Sequence, residues 1–413
     1  MDDFMVLGAW LEFAVRWLHV ITGIAWIGSS FYFIALDLGL HRDRNLATGA
    51  DGEEWQVHGG GFYHIQKYLV APDRMPEDLV WFKWESYATW LSGVALLFLV
   101  YYLGADLFLV DPNVADLAVW QAILISAGSL VLGWLLYDSL CRSKLGESPT
   151  TLMVLLYLVL VCLAWGYAHL FSGRAALLHL GAVTATIMTA NVFMVIIPNQ
   201  KIVVDDLIAG RTPDPEYGRI AKLRSTHNNY LTLPVLFMML SNHYPLAFAT
   251  ENNWIIASLV FLMGVTIRHW FNSVHARKGR PIWTWLVTVL LFLVIAWLST
   301  APLFRSGTED AATLPLTPGQ QRFAAAAEFG EVSDIVLSRC SMCHAAEPGY
   351  DGIRWAPKGV ILDRPEEIAR WAPQIYLQAG VSHAMPPANV SYIEPEERAR
   401  IVAWYRGVMR GDG

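Results

Sequence analysis

Charge and cysteine are both scarce in this 413-residue chain. Only 16% of its residues are Asp, Glu, Lys or Arg, against about a quarter in an ordinary soluble domain. Four cysteines are too few to staple a disulfide scaffold. The net charge is −7 and there is no basic tail, so the electrostatic footprint of a nucleic-acid binder is missing. Apolar residues, by contrast, make up 55% of the chain, with 18 Trp among them. That composition excludes a disordered protein.

The shortage of charge is uneven. Residues 1–304 hold 40 charged residues and residues 305–413 hold 25. The first part reads as a membrane body. The second, 320–413, reads as a small soluble domain, joined by a linker at 305–319 rich in Pro, Gly, Thr and acid. Eight stretches are apolar and long enough for a bilayer core of about 20 residues per helix: 9–38, 84–103, 118–140, 150–168, 175–198, 227–243, 254–275 and 282–302. The chain opens Met1-Asp2-Asp3, without the basic start of a cleaved signal peptide. The first stretch is therefore expected to remain as a helix.

Lys and Arg set the orientation. The four odd-numbered loops hold 15: Arg42, Arg44, Lys67, Arg74 and Lys83 after the first stretch; Arg142 and Lys144 after the third; Lys201, Arg211, Arg219, Lys222 and Arg224 after the fifth; and Arg277, Lys278 and Arg280 after the seventh. The three even-numbered loops hold Arg174 alone. Both termini are expected outside a bacterial inner membrane, on the periplasmic side. An offset of 160 aligns Leu18-His19 with Leu178-His179, and Ala25, Ile27 and Phe33 with Ala185, Ile187 and Phe193. This pattern fits either a 4+4 parallel repeat or a chance match of apolar segments. The expected fold is all-α: an eight-helix transmembrane bundle followed by a small class I-like cytochrome c domain.

The cytochrome expectation comes from Cys340-Ser-Met-Cys343-His344. Two thiols three positions apart reach the two vinyl groups of one haem, and the adjoining His supplies the proximal nitrogen. A zinc site would need two further ligands, and the domain has no second Cys pair. Downstream, His383-Ala-Met385-Pro-Pro offers the sixth ligand. Met385 is the first choice because a thioether stabilises ferrous iron. Helices are expected at 331–339, 365–378 and 394–409. Haem c is attached outside the cytoplasm, in agreement with the Lys and Arg count.

Ionisable groups inside a membrane mark function by default. Glu12, Arg16 and His19 share one face of the first helix. His19 lies about 15 Å from its outer end at the helical rise of about 1.5 Å per residue. It reads as a satisfied polar group, a haem ligand or a proton-transfer residue. His179 is its repeat partner, and the two together could ligate a second, non-covalent haem. His227, Asn228 and Asn229 open the sixth stretch, where they either cap a helix or face substrate. Arg268, Asn272 and His275 form one stripe at the end of the seventh, with His269 beside them. Arg268 there either snorkels to the interface or forks an anion.

The stretch Arg16-Trp-Leu-His19-Val-Ile-Thr-Gly-Ile-Ala-Trp-Ile-Gly-Ser-Ser-Phe-Tyr-Phe-Ile-Ala-Leu-Asp37 resembles the first helix of the integral-membrane urate oxidases, the urate hydroxylases that carry a C-terminal cytochrome c. Asn191–Lys201 and Thr226–Pro245 resemble the same family. The resemblance implies oxidation of urate to 5-hydroxyisourate, with electrons leaving through the cytochrome to a respiratory cytochrome c or terminal oxidase rather than directly to oxygen. On this reading His19, His179, His227 and His269 are candidate catalytic groups. Arg268, Asn272, Asn228 and Asn229 are candidate substrate ligands. Cys340, Cys343, His344 and Met385 hold haem. The first helix also resembles haem-binding four-helix membrane proteins of the protoporphyrinogen-oxidase and copper-resistance kinds, which favours a haem-ligand role for His19. Two other classes stay open from the residues alone: a membrane-anchored electron carrier docking to an oxidase, and a transporter with a redox tail.

Overall fold

A computed structural model describes residues 2–43, 45–68, 76–112, 114–305, 315–351, 353 and 356–410. Arg44 and Arg74 of the orientation count, and residues 306–314 of the predicted linker, lie outside the described residues. The chain divides into two units. One comprises Glu12–Asn242 and Leu246–Arg305. The other comprises Ser306–Gly413, together with Met1–Leu11 and His243–Pro245.

The membrane body is built from α1 (Asp2–Gly39), α2 (Trp84–Leu96), a one-turn α3 (Ala105–Phe108), α4 (Val119–Arg142), α5 (Pro149–Ala168), α6 (Gly173–Ala190), α7 (Ile197–Ile208), α8 (Pro215–Ser241), a one-turn α9 (Pro245–Phe248), α10 (Asn253–His275) and α11 (Trp283–Arg305). A π-helical turn, Leu97–Tyr102, continues α2, and another, Asn191–Ile196, joins α6 to α7. Pro198 follows the second turn, where its missing N–H cannot extend a regular ladder.

All eight predicted stretches are helical, but six helices are long and apolar enough to cross a bilayer. Glu85 and the Ser, Trp and Tyr residues of 84–102 dilute its hydropathy. The start of α8 is polar and begins at Pro215, capped by Asp214, twelve residues before the predicted edge. The expectation of an all-α body also needs correction. Ala50–His58 (β1) and Gly61–Tyr68 (β2) form an antiparallel hairpin around Gly59 and Gly60, whose φ values are +59° and +81°. Two consecutive residues at positive φ make the turn whose twist matches paired strands, and glycine takes it without strain. The back of the hairpin is tied to α1 by Tyr32 Oη donating to Gln56 (2.7 Å) and by the Lys67–Asp37 ion pair.

The most enclosed span is α6–α7, 61% buried over its apolar window, whereas the window of α1 is 0% buried. Small residues account for this. Gly181 lets α8 approach so closely that a Cβ there would stand 2.8 Å from Met238 Cβ. Leu177, Leu180, Val183 and Ile187 of α6 fill the core with Leu156 and Leu160 of α5 and Ile256 and Phe261 of α10. A second close approach joins α8 to α10, where Gly264 lies against the Pro234 ring.

The second unit contains α12 (Pro318–Ala325), α13 (Phe329–Arg339), α14 (Pro365–Arg370), α15 (Ala372–Ile375) with a π-helical continuation to Val381, and α16 (Pro395–Arg410). Its core is Val332, Val336, Ile368, Tyr376, Ile401 and Trp404. The predicted helix at 365–378 is two short helices and a π turn, because Trp371 leaves helical geometry and Pro373 lacks an N–H. Thr317 caps α12 with its side chain, so this helix begins slightly before the predicted domain edge at 320.

Candidate functional site

Three consecutive polar residues within α8, His227, Asn228 and Asn229, point in three directions. His227 faces α4, where Tyr137 Oη hydrogen-bonds its Nδ1 at 2.7 Å. Asn228 faces the α6–α7 span: its Nδ2 donates to Met188 O (2.9 Å) and its Oδ1 accepts from Asn191 Nδ2 (2.9 Å). Asn229 faces α10. Its Oδ1 accepts from Arg268 Nε (3.3 Å) and Asn272 Nδ2 (3.0 Å). Successive helical positions are about 100° apart, so one turn of α8 serves three neighbours.

Two buried arginines result, and they differ. Arg224 donates to Asp138 Oδ1 (2.6 Å) and Asn191 Oδ1 (3.1 Å) and lies over the Trp134 and Tyr137 rings. It is a neutralised, structural cation. Arg268 is 5% exposed and lies over the Phe31 ring at 4.2 Å. Its polar partners are the amide oxygens of Asn229 and Asn272 (3.2 Å). Among the described residues no carboxylate stands within ion-pair distance of Arg268, and Asn229 Nδ2 is buried without a partner. An unneutralised guanidinium on an aromatic face, beside a spare amide donor, calls for an acceptor-rich anion.

A cleft of about 520 Å³ lies between α5, α8 and α10. His227, His269, Tyr230, Thr226 and Met153 line it, with Lys222 and Arg219 among its cations. His227 Nε2 is buried and unpartnered. Asn191 Nδ2 donates to the Tyr137 oxygen (3.2 Å), and that oxygen can also accept from His227 Nδ1–H. In that tautomer Nε2 carries a lone pair and can take up a proton.

The other two candidate histidines stand apart from this group. His19 Nδ1 bonds Thr89 O (2.9 Å) and Ser92 Oγ (3.1 Å) of α2, beside Gly93. His179 is fully buried among the Tyr101, Tyr167 and Phe171 rings. Its Nδ1 bonds Ala175 O (2.7 Å) and its Nε2 bonds Ser126 Oγ (2.7 Å). With both nitrogens engaged, His179 does not fit as a haem ligand. The predicted His19–His179 haem is therefore not supported by the residues present. Tyr137, Asp138, Asn191 and Arg224 belong to the polar network and were not singled out from sequence, because their partners are 33 to 90 positions away.

In the second unit, Cys340 and Cys343 are free thiols at the end of α13. Burial pushes the Cys340 thiol up to about 12, with Cys343 adding to the rise and Arg398 opposing it. Burial also raises Cys343. His344 Nδ1 bonds Val360 O (2.9 Å). The Val360 carbonyl on Nδ1 fixes the ring and leaves Nε2 as the donor to a metal. Met385 N donates to Gln378 O (3.0 Å). These residues fit a covalent haem: two thiols, an oriented imidazole and a methionine whose main chain is held. Among the described residues no group of three or more His, Cys, Asp and Glu could hold a metal ion.

The family model described as urate oxidase N-terminal matches residues 5–299. Neither the curated proteins nor the solved structures contain a match to the chain. The matched residues span the membrane body, including α8, α10 and the Arg268 fork, and the chain belongs to the urate oxidase N-terminal family.

Proposed function

We propose that the membrane body binds urate at the Arg268–Asn229–Asn272 fork and oxidises it to 5-hydroxyisourate, with the electrons leaving through a haem c on Cys340 and Cys343. The observation that carries this reading is the buried Arg268 guanidinium, which lacks a carboxylate and lies on Phe31. Urate at neutral pH is a planar anion rich in carbonyl acceptors. Arg268 and the spare Asn229 Nδ2 donor match its edge, and Phe31 matches its plane.

Urate and water give 5-hydroxyisourate, two protons and two electrons. The buried, unpartnered His227 Nε2 is the candidate proton acceptor, with Tyr137 holding Nδ1. His269 lines the same cleft and offers a second imidazole. Asn228 braces α8 against α6 and keeps Asn229 turned toward α10. His19 retains an open Nε2 and is the remaining candidate for a proton or electron role along α1. A covalent haem would supply single-electron acceptance, and His344 and Met385 are the residues that would hold its iron. A respiratory cytochrome c or terminal oxidase then receives the electrons.

The Lys and Arg distribution supports eight crossings with both termini periplasmic. If only the six most apolar helices crossed, Arg142, Lys144 and the five cations of 201–224 would fall on the outer side, against the positive-inside rule. Anaerobic mixing of the purified protein with urate tests the function. Reduction of the haem spectrum is expected. An oxidised spectrum that persists over saturating urate, with the haem intact, overturns the enzyme reading and leaves a membrane-anchored carrier.

A further inference from the structure

We propose that Glu397 and Arg398, adjacent in the first turn of α16, form a two-sided clip on the haem-ligand segments, and that Arg398 is the positioning residue for Met385. This rests on the haem c reading above.

Arg398 is 8% exposed. Its Nη1 donates to Ala379 O (2.5 Å) and to Met385 O (2.8 Å), and its Nη2 to Asn389 Oδ1 (3.3 Å). No carboxylate pairs with it among the described residues. A desolvated guanidinium is costly and must be satisfied by hydrogen bonds. Here every acceptor belongs to the segment that carries Met385. Since Met385 N–H is already bonded to Gln378 O, both main-chain polar groups of the ligand residue are tied. Asn389 closes the loop beyond it by accepting from Ile393 N (3.1 Å) and donating to Ile393 O (3.2 Å).

The neighbouring side chain grips the other ligand segment. Glu397 accepts from Arg339 Nε and Nη2 at 2.9 to 3.1 Å. Arg339 immediately precedes Cys340 and also donates to Ser391 O (3.1 Å). One helical turn therefore holds the attachment segment on one side and the methionine loop on the other. A thioether is a neutral, weak ligand, so its occupancy of iron depends on how well the loop is preorganised. The fixed positive charge of Arg398 also disfavours the more positive ferric state, which raises the potential.

The test uses the full chain purified in detergent. Haem-stained bands on a denaturing gel report covalent attachment. The red-edge absorbance band of methionine-bound ferric haem reports the Met385 bond, and imidazole serves as the competing ligand. Arg398→Gln is expected to keep covalent haem, weaken the red-edge band, lower the midpoint potential and tighten imidazole binding roughly tenfold or more. Arg398→Lys should restore part of the potential through its charge. If Arg398→Gln does not accumulate, Asn389→Ala is read in the same way, with imidazole binding tightened roughly fivefold. Covalent haem with an unchanged band, potential and imidazole affinity in the variant that folds overturns the clip. A wild-type chain without a haem-stained band instead overturns the haem reading itself.

Discussion

Arg224 meets Asp138 at 2.6 Å across the α4–α8 interface, whereas Arg268 of α10 has no such partner among the described residues. Breaking a buried pair leaves an uncompensated charge and costs about 3–5 kcal/mol. Arg224→Met is therefore expected to lower the melting temperature of the detergent-solubilised protein sharply. Arg268→Lys should melt normally and weaken urate binding by roughly tenfold to a hundredfold, the value of a lost bidentate, charge-assisted contact. Equal destabilisation by both would show that Arg268 is structural.

His227 and His179 are expected to separate in function. His227→Gln removes the unpartnered Nε2 and should slow urate-dependent reduction by about a hundredfold or more, the usual worth of a positioned base. His179→Asn should disturb packing among three aromatic rings without changing the amount of acid-extractable haem. Loss of a non-covalent haem in that variant would restore the ligand role that its two hydrogen bonds argue against.

Gly264 sets how far Arg268 reaches. A Cβ there would lie 2.6 Å from Pro234 Cδ and 2.7 Å from Cγ. Gly264→Ala must push α10 from α8 one turn before Arg268 meets Asn229. Overpacking of this kind costs about 1–3 kcal/mol. The melting temperature and urate affinity should fall together, which calorimetry and equilibrium titration on one preparation would register.

Glu397 gives the second unit an acid limit. Burial pushes its carboxyl up, but the Arg339 hydrogen bonds and the Glu394 N–H donor outweigh burial and hold it below the usual 4.5. A depressed folded value stabilises the unit above the unfolded one and is lost as pH falls through the folded one. Melting of the second unit, followed by its haem absorbance, should be flat from neutral pH to about 4.5 and decline below that. Glu397→Gln should melt lower at neutral pH and show less of the acid decline.

Much of the helical plan was legible from apolar run length, because lipid demands it. The start of α8 was not, since Pro215 and Asp214 begin a helix whose first turns are too polar to register. The hairpin carried a readable signal in Gly59-Gly60 between runs containing Trp55, Val57, Phe62 and Tyr63, yet a loop was expected. Arg268 and Asn272 share a stripe legible in the sequence, while their hydrogen bonds to Asn229 join two helices and carry no local signal. Arg224 was counted with loop cations because its partner Asp138 lies 86 positions earlier, where no local pattern reveals it. The His19–His179 alignment misled for a related reason. Identical letters at an offset of 160 entered different surroundings: His19 bonds α2 through Nδ1 alone, whereas His179 has both nitrogens engaged, one by its own helix and one by Ser126 of α4.

The glycine turn of the hairpin has a practical side. Gly59 and Gly60 have no atom within 4 Å of where a side chain would begin, while the strands behind them are latched to α1 through Tyr32 and Asp37. A short epitope spliced between the two glycines would stand clear of the body without straining the ladder. Antibody access to it in sealed, right-side-out vesicles would then reveal which compartment the Arg- and Lys-bearing face of the molecule occupies.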